Sequence, residues 1–222
     1  MNREALIFEI AEIVTSIACS HPIRVAIDGI DASGKTTLAD DLVQPIEKLG
    51  YPVIRASIDR FQQSKAVRHQ RGSLSAEGYY DDAFDYSAFK TALLEPLGAD
   101  GSRRYYTEHF DLRDDVAVEP HWQQAADRSI LLVDGVFLQR PELNAYWDVR
   151  IWVDVPFAVA LERAVQRDLE LFGSVEIVKE RYAKRYFPAQ ELYIALCQPK
   201  LKAQLVVDNS DPLFPNLSRN AS

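Results

Sequence analysis

Eight consecutive residues are of the types that bind a phosphate group: Gly29-Ile30-Asp31-Ala32-Ser33-Gly34-Lys35-Thr36. The two glycines permit backbone turns and a close approach that a side chain would block. The N–H groups of such a loop can face an anion, and the lysine can reach the terminal phosphates of a nucleotide. The threonine hydroxyl can bind Mg²⁺. We therefore predict a nucleotide site formed by Gly29, Asp31, Ala32, Ser33, Gly34, Lys35, Thr36 and Thr37.

Aspartates stand at the ends of four apolar runs, at Asp28, Asp59, Asp134 and Asp154. Ligands of parallel sheets bind at the carboxyl ends of the strands, so these carboxylates are expected at one edge. Asp134 follows an apolar run in the arrangement that holds Mg²⁺ directly or through water. Asp59 can accept the proton of an attacking hydroxyl and can also touch metal-bound water. We expect both carboxylates to join the Thr36 hydroxyl at the metal.

Arginines recur at helical spacing in the last third of the chain. Arg163 and Arg167 are four positions apart and share one face of a predicted helix. Arginine can neutralise charge on a transferring phosphoryl group. The segment around Gly173 suits a lid that closes and excludes water. Arg181 and Arg185 repeat the spacing, and we expect at least one catalytic arginine between residues 163 and 185.

Aromatic and charged residues cluster between positions 79 and 113. Aromatic faces can stack on a planar or sugar-like molecule, and carboxylates can bind its hydroxyl groups. From this cluster we expect substrate contacts by Tyr80, Asp81, Tyr106, His109 and Arg113. His69 and His121 have no partner visible in the sequence and are expected at the surface.

Short apolar runs alternate with helical patterns, which predicts parallel βαβ units. Strands are predicted at residues 23–27, 52–58, 130–133, 149–153 and 205–207. Helices are predicted at residues 3–20, 35–49, 86–94, 156–171, 175–186 and 189–202. The continuous apolar character of the strands is typical of a parallel sheet that is covered on both faces. The fold class is α/β, with a P-loop NTPase-type parallel sheet, helices on both faces, a helical lid and a small substrate-binding hairpin.

One domain is expected over residues 1–222. Its parts are an N-terminal helix in 1–20, a substrate-binding insertion at about 60–120, a lid at about 160–187 and a polar tail at 210–222. Within the insertion, residues 60–77 are expected to be mostly loop, and residues 102–110 a strand or hairpin.

The formal net charge of −8 argues against broad binding to nucleic acid or to an anionic membrane. No apolar run approaches the ~18 residues that a membrane span needs. Cys19 and Cys197 lack metal-binding spacing and are expected to be reduced thiols. We expect a cytoplasmic protein whose partner is a small molecule, and we leave open whether it forms a homo-oligomer.

The ordered motifs resemble the uridine kinase and phosphoribulokinase family of P-loop kinases over residues 23–209. The matching segments are residues 27–37, 59–61, 80–85, 133–135 and 163–168. The resemblance implies transfer of the γ-phosphoryl group of ATP, with Mg²⁺, to the 5′-hydroxyl of a uridine- or cytidine-like nucleoside. It also implies that Asp59 is the catalytic aspartate, that Lys35 holds the phosphates and that Arg163 and Arg167 are lid arginines. Residues 206–209 match a segment near the adenine.

The chain departs from the family pattern in the acceptor region. Asp111 stands where family members have a pyrimidine-reading histidine, and His109 can substitute only with a shift of two residues. Gln62 replaces a tyrosine that usually follows the Asp-x-Phe element. These departures keep a second acceptor class open, a non-nucleoside alcohol such as a pantothenate- or glycerate-like acid.

Two further classes are a nucleotide-dependent switch or ATPase and a degenerate nucleotide-binding protein. The chain has no Asn-Lys-x-Asp motif for reading guanine, which disfavours a switch. Intact Lys35, Thr36, Asp59 and Asp134 disfavour a degenerate site.

Overall fold

The computed structural model describes residues 2–220, which form ten strands and ten α-helices. The strands are β1 Ile23–Gly29, β2 Val53–Ser57, β3 Arg104–Tyr105, β4 Phe110–Asp111, β5 Val116–Ala117, β6 Gln123–Gln124, β7 Ile130–Gly135, β8 Val149–Asp154, β9 Leu205–Asp208 and β10 Asn216–Arg219. The helices are α1 Arg3–Thr15, α2 Lys35–Lys48, α3 Lys65–Arg68, α4 Ala76–Asp82, α5 Tyr86–Phe89, α6 Pro141–Asn144, α7 Phe157–Phe172, α8 Val175–Arg181, α9 Phe187–Cys197 and α10 Pro199–Lys202. A 3₁₀ turn (Ile58–Phe61) and two π-helical turns (Lys90–Leu94 and Tyr182–Tyr186) complete the set.

The central sheet has the strand order β10-β9-β8-β1-β7-β2. All neighbouring pairs are parallel except β9 and β10, which are antiparallel. The register places Asp134 of β7 opposite both Ile27 of β1 and Ser57 of β2. These three strands therefore end at the same edge of the sheet, beside the predicted phosphate loop. The predicted α/β class with a mostly parallel sheet is confirmed.

The strands are covered on both faces, because alternate residues along each strand enter two separate cores. On one face α1 and α2 contribute Leu6, Ile10 and Leu42 to a core that also contains Ile27 of β1. The other face packs against a large aromatic cluster, whose fully buried members include Phe61, Phe89, Phe137 and Tyr193. β1 and β7 are buried at every position, which explains why both are mainly apolar, with Arg24, Asp28 and Asp134 as their buried charged residues.

The insertion differs most from the sequence-based expectation. Residues 60–77 are mostly loop, as expected, but the end of the 3₁₀ turn, α3 and the start of α4 interrupt this loop. Residues 102–110, expected to form a strand or hairpin, contain the short strand β3 and the start of β4. These two strands belong to separate two-stranded sheets, β3 with β6 and β4 with β5. β3 pairs with a strand that begins only at Gln123, so this pairing is non-local and leaves little trace in a local pattern.

The two chain ends also differ from expectation. α1 ends at Thr15 instead of continuing to residue 20, and the side chains of Thr15 and Ser16 bond back to carbonyls of its last turn. The tail expected to be merely polar supplies β10, the antiparallel edge strand.

Within residues 2–220, no helix combines the length and the apolar character that crossing a membrane requires. Cys19 and Cys197 are both free thiols, the first exposed and the second buried.

Candidate active site

The phosphate loop joins β1 to α2, and close packing against neighbouring groups requires its two glycines. A Cβ atom at Gly29 would lie 2.5 Å from the Val153 carbonyl oxygen of β8. Gly34 has a φ of +95°, and a Cβ atom there would lie 2.5 Å from Nδ2 of Asn209. That same amide nitrogen donates a hydrogen bond of 2.7 Å to the carbonyl of Ser33. The loop is therefore held closed by a residue that follows β9.

The predicted phosphate-binding lysine begins α2 and lies within the loop. Lys35 is buried, and its Nζ donates to the carbonyl oxygen of Ile30 at 2.6 Å. The N-terminus of α2 adds backbone N–H groups and a positive dipole end at the same place. Thr36 and Thr37 occupy its exposed first turn. This arrangement can bind a chain of phosphates through backbone and ammonium groups.

Hard oxygen ligands gather beside the loop. The Thr36 hydroxyl donates to Oδ2 of Asp134 at 2.6 Å. The other oxygen of Asp134 lies 2.7 Å from Nη1 of Arg55. A hydroxyl and a carboxylate at this separation are donors that Mg²⁺ prefers. The residues present therefore fit a magnesium ion at the phosphate loop.

Asp59 lies just after β2, in the 3₁₀ turn, and borders two clefts. One, which we call the carboxylate cleft, has a volume of about 500 Å³ and is lined by Thr36, Arg55, Glu108 and Asp134. The other, which we call the tyrosine cleft, has a volume of about 340 Å³ and is bordered by Asp31, Tyr79, Arg167 and the neighbouring tyrosines.

The electrostatic surroundings of Asp59 are acidic. The Asp59 side chain is exposed to solvent in the cleft. The surrounding walls of the cleft nevertheless desolvate its carboxylate in part. This desolvation, together with the carboxylates of Asp31 and Asp134, raises the pKa of Asp59 to about 6. Three carboxylates close to one another leave a shortage of positive charge that a bound cation would offset.

Asp31 of the phosphate loop is anchored by residues that sequence reasoning missed. Its Oδ2 accepts a hydrogen bond of 2.6 Å from the Gln190 side chain and one of 3.3 Å from the Tyr79 hydroxyl. Gln190 also accepts from the Asp31 backbone N–H at 3.3 Å. The loop is thus tied to α9 and α4, which a local motif cannot reveal.

The two predicted lid arginines have different surroundings. Arg163 donates from Nη2 to the carbonyls of Asn209, at 2.8 Å, and Ser210, at 3.2 Å, so it supports the segment that closes the phosphate loop. Arg167 lines the tyrosine cleft and forms an ion pair with Asp168 at 2.7 Å. The hydrogen bond that Arg167 donates to the Asp168 carboxylate raises the pKa of Arg167 above its usual range. Only the second of the pair borders a cleft beside Asp59.

Tyr80 and Asp81, both expected to contact the substrate, lie outside the tyrosine cleft. Tyr80 is buried, with its hydroxyl 3.7 Å from Sγ of Cys197 and the Arg140 guanidinium 4.0 Å from its ring centre. Asp81 is paired with Arg71 at 2.9 Å on the exposed side of α4. Neighbouring positions of a helix point in different directions, and Tyr79 is the tyrosine of this helix that lines the cleft.

The remaining expected substrate residues, Tyr106, His109 and Arg113, also lie outside the tyrosine cleft. Tyr106 and His109 stack on Phe61 with ring centres 6.4 and 6.3 Å away. Arg113 is exposed, and its backbone N–H donates to Asp111 at 2.8 Å. The Asp111 carboxylate therefore accepts a hydrogen bond within its own turn.

The tyrosine cleft contains residues whose role was not expected. His69, expected at the surface, is half-buried and lines the cleft together with Gln62, Arg68 and Arg185. The helical spacing of Arg181 and Arg185 was the only sequence signal that pointed towards this group.

Two of the four strand-end aspartates border the clefts, namely Asp59 and Asp134. Asp28 is fully buried and accepts hydrogen bonds from the Tyr193 hydroxyl and from the Gln139 amide at 3.3 Å. Asp154 pairs with Lys200 at 2.7 Å. The shared sheet edge alone does not bring all four carboxylates together.

Comparison with known proteins gives consistent matches. The model of the family described as "Phosphoribulokinase / Uridine kinase family" matches residues 24–210. Uridine-cytidine kinase B of Dictyostelium discoideum is 28% identical over 179 residues, covering 78% of this chain and 70% of that protein. A uridine kinase of Chloroflexus aurantiacus is 26% identical over 208 residues, covering 90% of each chain.

Solved structures share the fold. A structure described as that of a possible uridine kinase from Bacillus stearothermophilus matches with a TM-score of 0.73 at 23% identity, covering 91% of this chain and 97% of that chain. A D-glycerate 3-kinase from Cryptococcus neoformans matches with a TM-score of 0.55 at 12% identity, covering 86% of this chain and 88% of that chain. At these identities the likeness concerns the fold alone.

Proposed function

This chain belongs to the phosphoribulokinase and uridine kinase family, and we propose that it transfers the γ-phosphoryl group of ATP to a hydroxyl group of a small molecule. The observation that carries the proposal is the position of Asp59 on the border of two clefts. One cleft contains the proposed metal ligands Thr36 and Asp134. The other is lined by Asp31 of the phosphate loop and by tyrosines and arginines. A carboxylate between them can act on a hydroxyl that enters from the second cleft.

The proposed step balances as a direct displacement. The Asp59 carboxylate accepts the proton of the acceptor hydroxyl, whose oxygen bonds to the γ-phosphorus. The bond from that phosphorus to the bridging oxygen breaks, and ADP leaves with the electron pair. Lys35 and the backbone N–H groups of the loop stabilise the phosphate charge, and Arg167 is the cleft arginine best placed to approach the transferred group.

Mg²⁺ would be held by the Thr36 hydroxyl and the Asp134 carboxylate, with Asp59 close by. The bound ion would supply charge neutralisation at the phosphate oxygens. Arg55, which pairs with Asp134 at 2.7 Å, fixes the orientation of that carboxylate.

For the acceptor we propose two candidates. The names of the curated relatives support the 5′-hydroxyl of uridine or cytidine. The position of Tyr106, His109 and Arg113 outside the tyrosine cleft favours a non-nucleoside alcohol instead. A slow nucleotide-dependent switch is less well supported, because such a protein needs no second cleft beside Asp59.

The test is ADP formation from Mg²⁺–ATP with uridine, cytidine, pantothenate and glycerate, with phosphorylated product identified by mass spectrometry. Transfer to any of these alcohols supports the proposal and ranks the acceptors. Rapid ATP hydrolysis that no alcohol accelerates and that yields no phosphorylated alcohol would overturn it in favour of the switch.

A further inference from the structure

Three basic side chains line the tyrosine cleft without a part in the proposed transfer: Arg68, His69 and Arg185. We call them the basic cluster. The first two come from the end of α3 and the residue that follows it, and the third comes from the π-helical turn after α8. The phosphates of ATP have their own ligands in the phosphate loop, so the basic cluster is free to serve another group.

Arg185 is a buried cation without a carboxylate partner. Its side chain is 3% exposed, and its terminal nitrogens donate to the backbone carbonyls of Arg68, Ser73 and Ser75 at 3.3–3.4 Å. No carboxylate among residues 2–220 forms an ion pair with it. Burial of an uncompensated charge is costly, and a nearby anion would offset that cost.

Arg68 is held in place but only partly neutralised. Its Nε donates to the Gln63 carbonyl at 2.7 Å, and its Nη2 lies 3.2 Å from the carboxylate of Asp115. Its side chain is largely buried, whereas that of Asp115 is exposed. The fixed guanidinium therefore presents a donor group to the cleft at little further cost in side-chain entropy.

The charges around His69 are positive. Burial lowers the pKa of His69, and the cations Arg185, Arg68, Lys65 and Arg181 lower it further. This contrasts with Asp59, whose pKa is raised by burial and raised further by the neighbouring carboxylates Asp31 and Asp134. The two groups line the same cleft, so the cleft is polarised between an acidic part and a basic part.

We propose that the basic cluster binds a carboxylate or phosphate group of the acceptor, so that the acceptor is a small anionic alcohol whose hydroxyl reaches Asp59. The inference rests on the proposed phosphoryl transfer and adds the class of substrate. A volume of about 340 Å³ suits a small molecule. Leu112 and Phe172 form an apolar part of the cleft wall. The basic cluster is therefore the group that selects for negative charge on the acceptor.

The experiment measures binding to the full chain loaded with Mg²⁺ and a non-hydrolysable ATP analogue, so that the phosphate loop is already filled. Glycerate, glycerol 3-phosphate, glycerol and uridine are titrated by calorimetry. The variants are Arg68→Gln, Arg68→Lys, which retains the charge, and Arg71→Gln as a control. Arg71 lies on the same segment as Arg68 but pairs with Asp81 outside the cleft. Melting temperatures establish that each variant is folded.

We expect at least one anion to bind more tightly than glycerol, and Arg68→Gln to weaken that binding by about tenfold or more. Arg68→Lys should retain part of the affinity, and Arg71→Gln should change it less than about twofold. Preference for glycerate identifies a carboxylate, and preference for glycerol 3-phosphate identifies a phosphate. Binding of uridine without either anion, binding of no anion, or equal affinity in Arg68→Gln would each overturn the proposal. Anion binding without phosphoryl transfer to any alcohol would instead count against the proposed function.

Discussion

The phosphate side and the acceptor side of the site are built in different ways. The phosphate side is one contiguous segment between β1 and α2, and the Val153 carbonyl and the Asn209 side chain pack too tightly against it for a side chain at Gly29 or Gly34. The acceptor side is assembled from short helices and turns that are far apart in sequence and are joined by side chains such as Arg185. A backbone-built site tolerates little variation, whereas a side-chain-built site can change its ligand by substitution. The two clefts meet at Asp59.

The largest expected effect is that of Asp59→Asn, because this residue belongs to both sides. An amide cannot accept the proton, so kcat should fall by roughly 10²–10⁴. ATP binding should change less than about threefold, since the phosphate ligands remain. Steady-state kinetics and a direct ATP titration check this. Equal loss of turnover and ATP affinity would show that Asp59 belongs to the phosphate side alone.

Gly34→Ala tests whether close packing around the loop defines the phosphate side. The new Cβ would meet the Asn209 amide at 2.5 Å, so ATP affinity should fall by about tenfold or more. Gly50→Ala is the matched control, because Gly50 also has a positive φ, of +89°, but nothing lies within 4 Å of its Cβ position. Both variants should lose about 1 kcal/mol of stability from backbone strain. Equal ATP affinity in the two variants would contradict the packing argument.

Asp28→Asn tests the buried interior beneath the phosphate loop. Burial raises the pKa of Asp28 to about 6, so the folded state holds its proton more tightly than the unfolded state. The stabilisation from this group is present at low pH and is lost as pH rises through about 6, by about 1.4 kcal/mol between pH 5 and pH 7.5. The asparagine variant lacks this loss, so its stability relative to wild type should increase over that range. Urea unfolding of both proteins at pH 5 and pH 7.5 measures their free energies of unfolding. An equal change in the two proteins between these pH values would contradict the prediction.

The smallest effect is expected for Asp81→Asn on the acceptor side. Asp81 faces Arg71 and solvent and does not line the tyrosine cleft, so kcat/KM should change less than about twofold for any acceptor. A large fall, measured with the same substrates as above, would mean that α4 moves when the acceptor binds.

The sequence predicted the phosphate side because its residues are consecutive and because their spacing follows from the geometry of a strand, a loop and a helix. It did not predict the acceptor side, since the contacts there are long-range. Arg185 bonds to carbonyls more than 100 positions earlier in the chain, and Gln190 reaches Asp31 from 159 positions away. Tyr79 and Tyr80 show the limit clearly, because only their direction from a short helix decides which of them lines the cleft.

The closure of the phosphate loop by Asn209 determines when this loop can form during translation. Residues 29–36 leave the ribosome early, but the amide that bonds to Ser33 is made only near residue 209. At common rates of translation the delay is roughly ten to thirty seconds. β1 also waits for its neighbours β7 and β8, which are synthesised roughly 100 residues later. Closure of the phosphate loop is therefore a late event in biogenesis, because by the time Asn209 is made all the parallel strands of the central sheet have been synthesised.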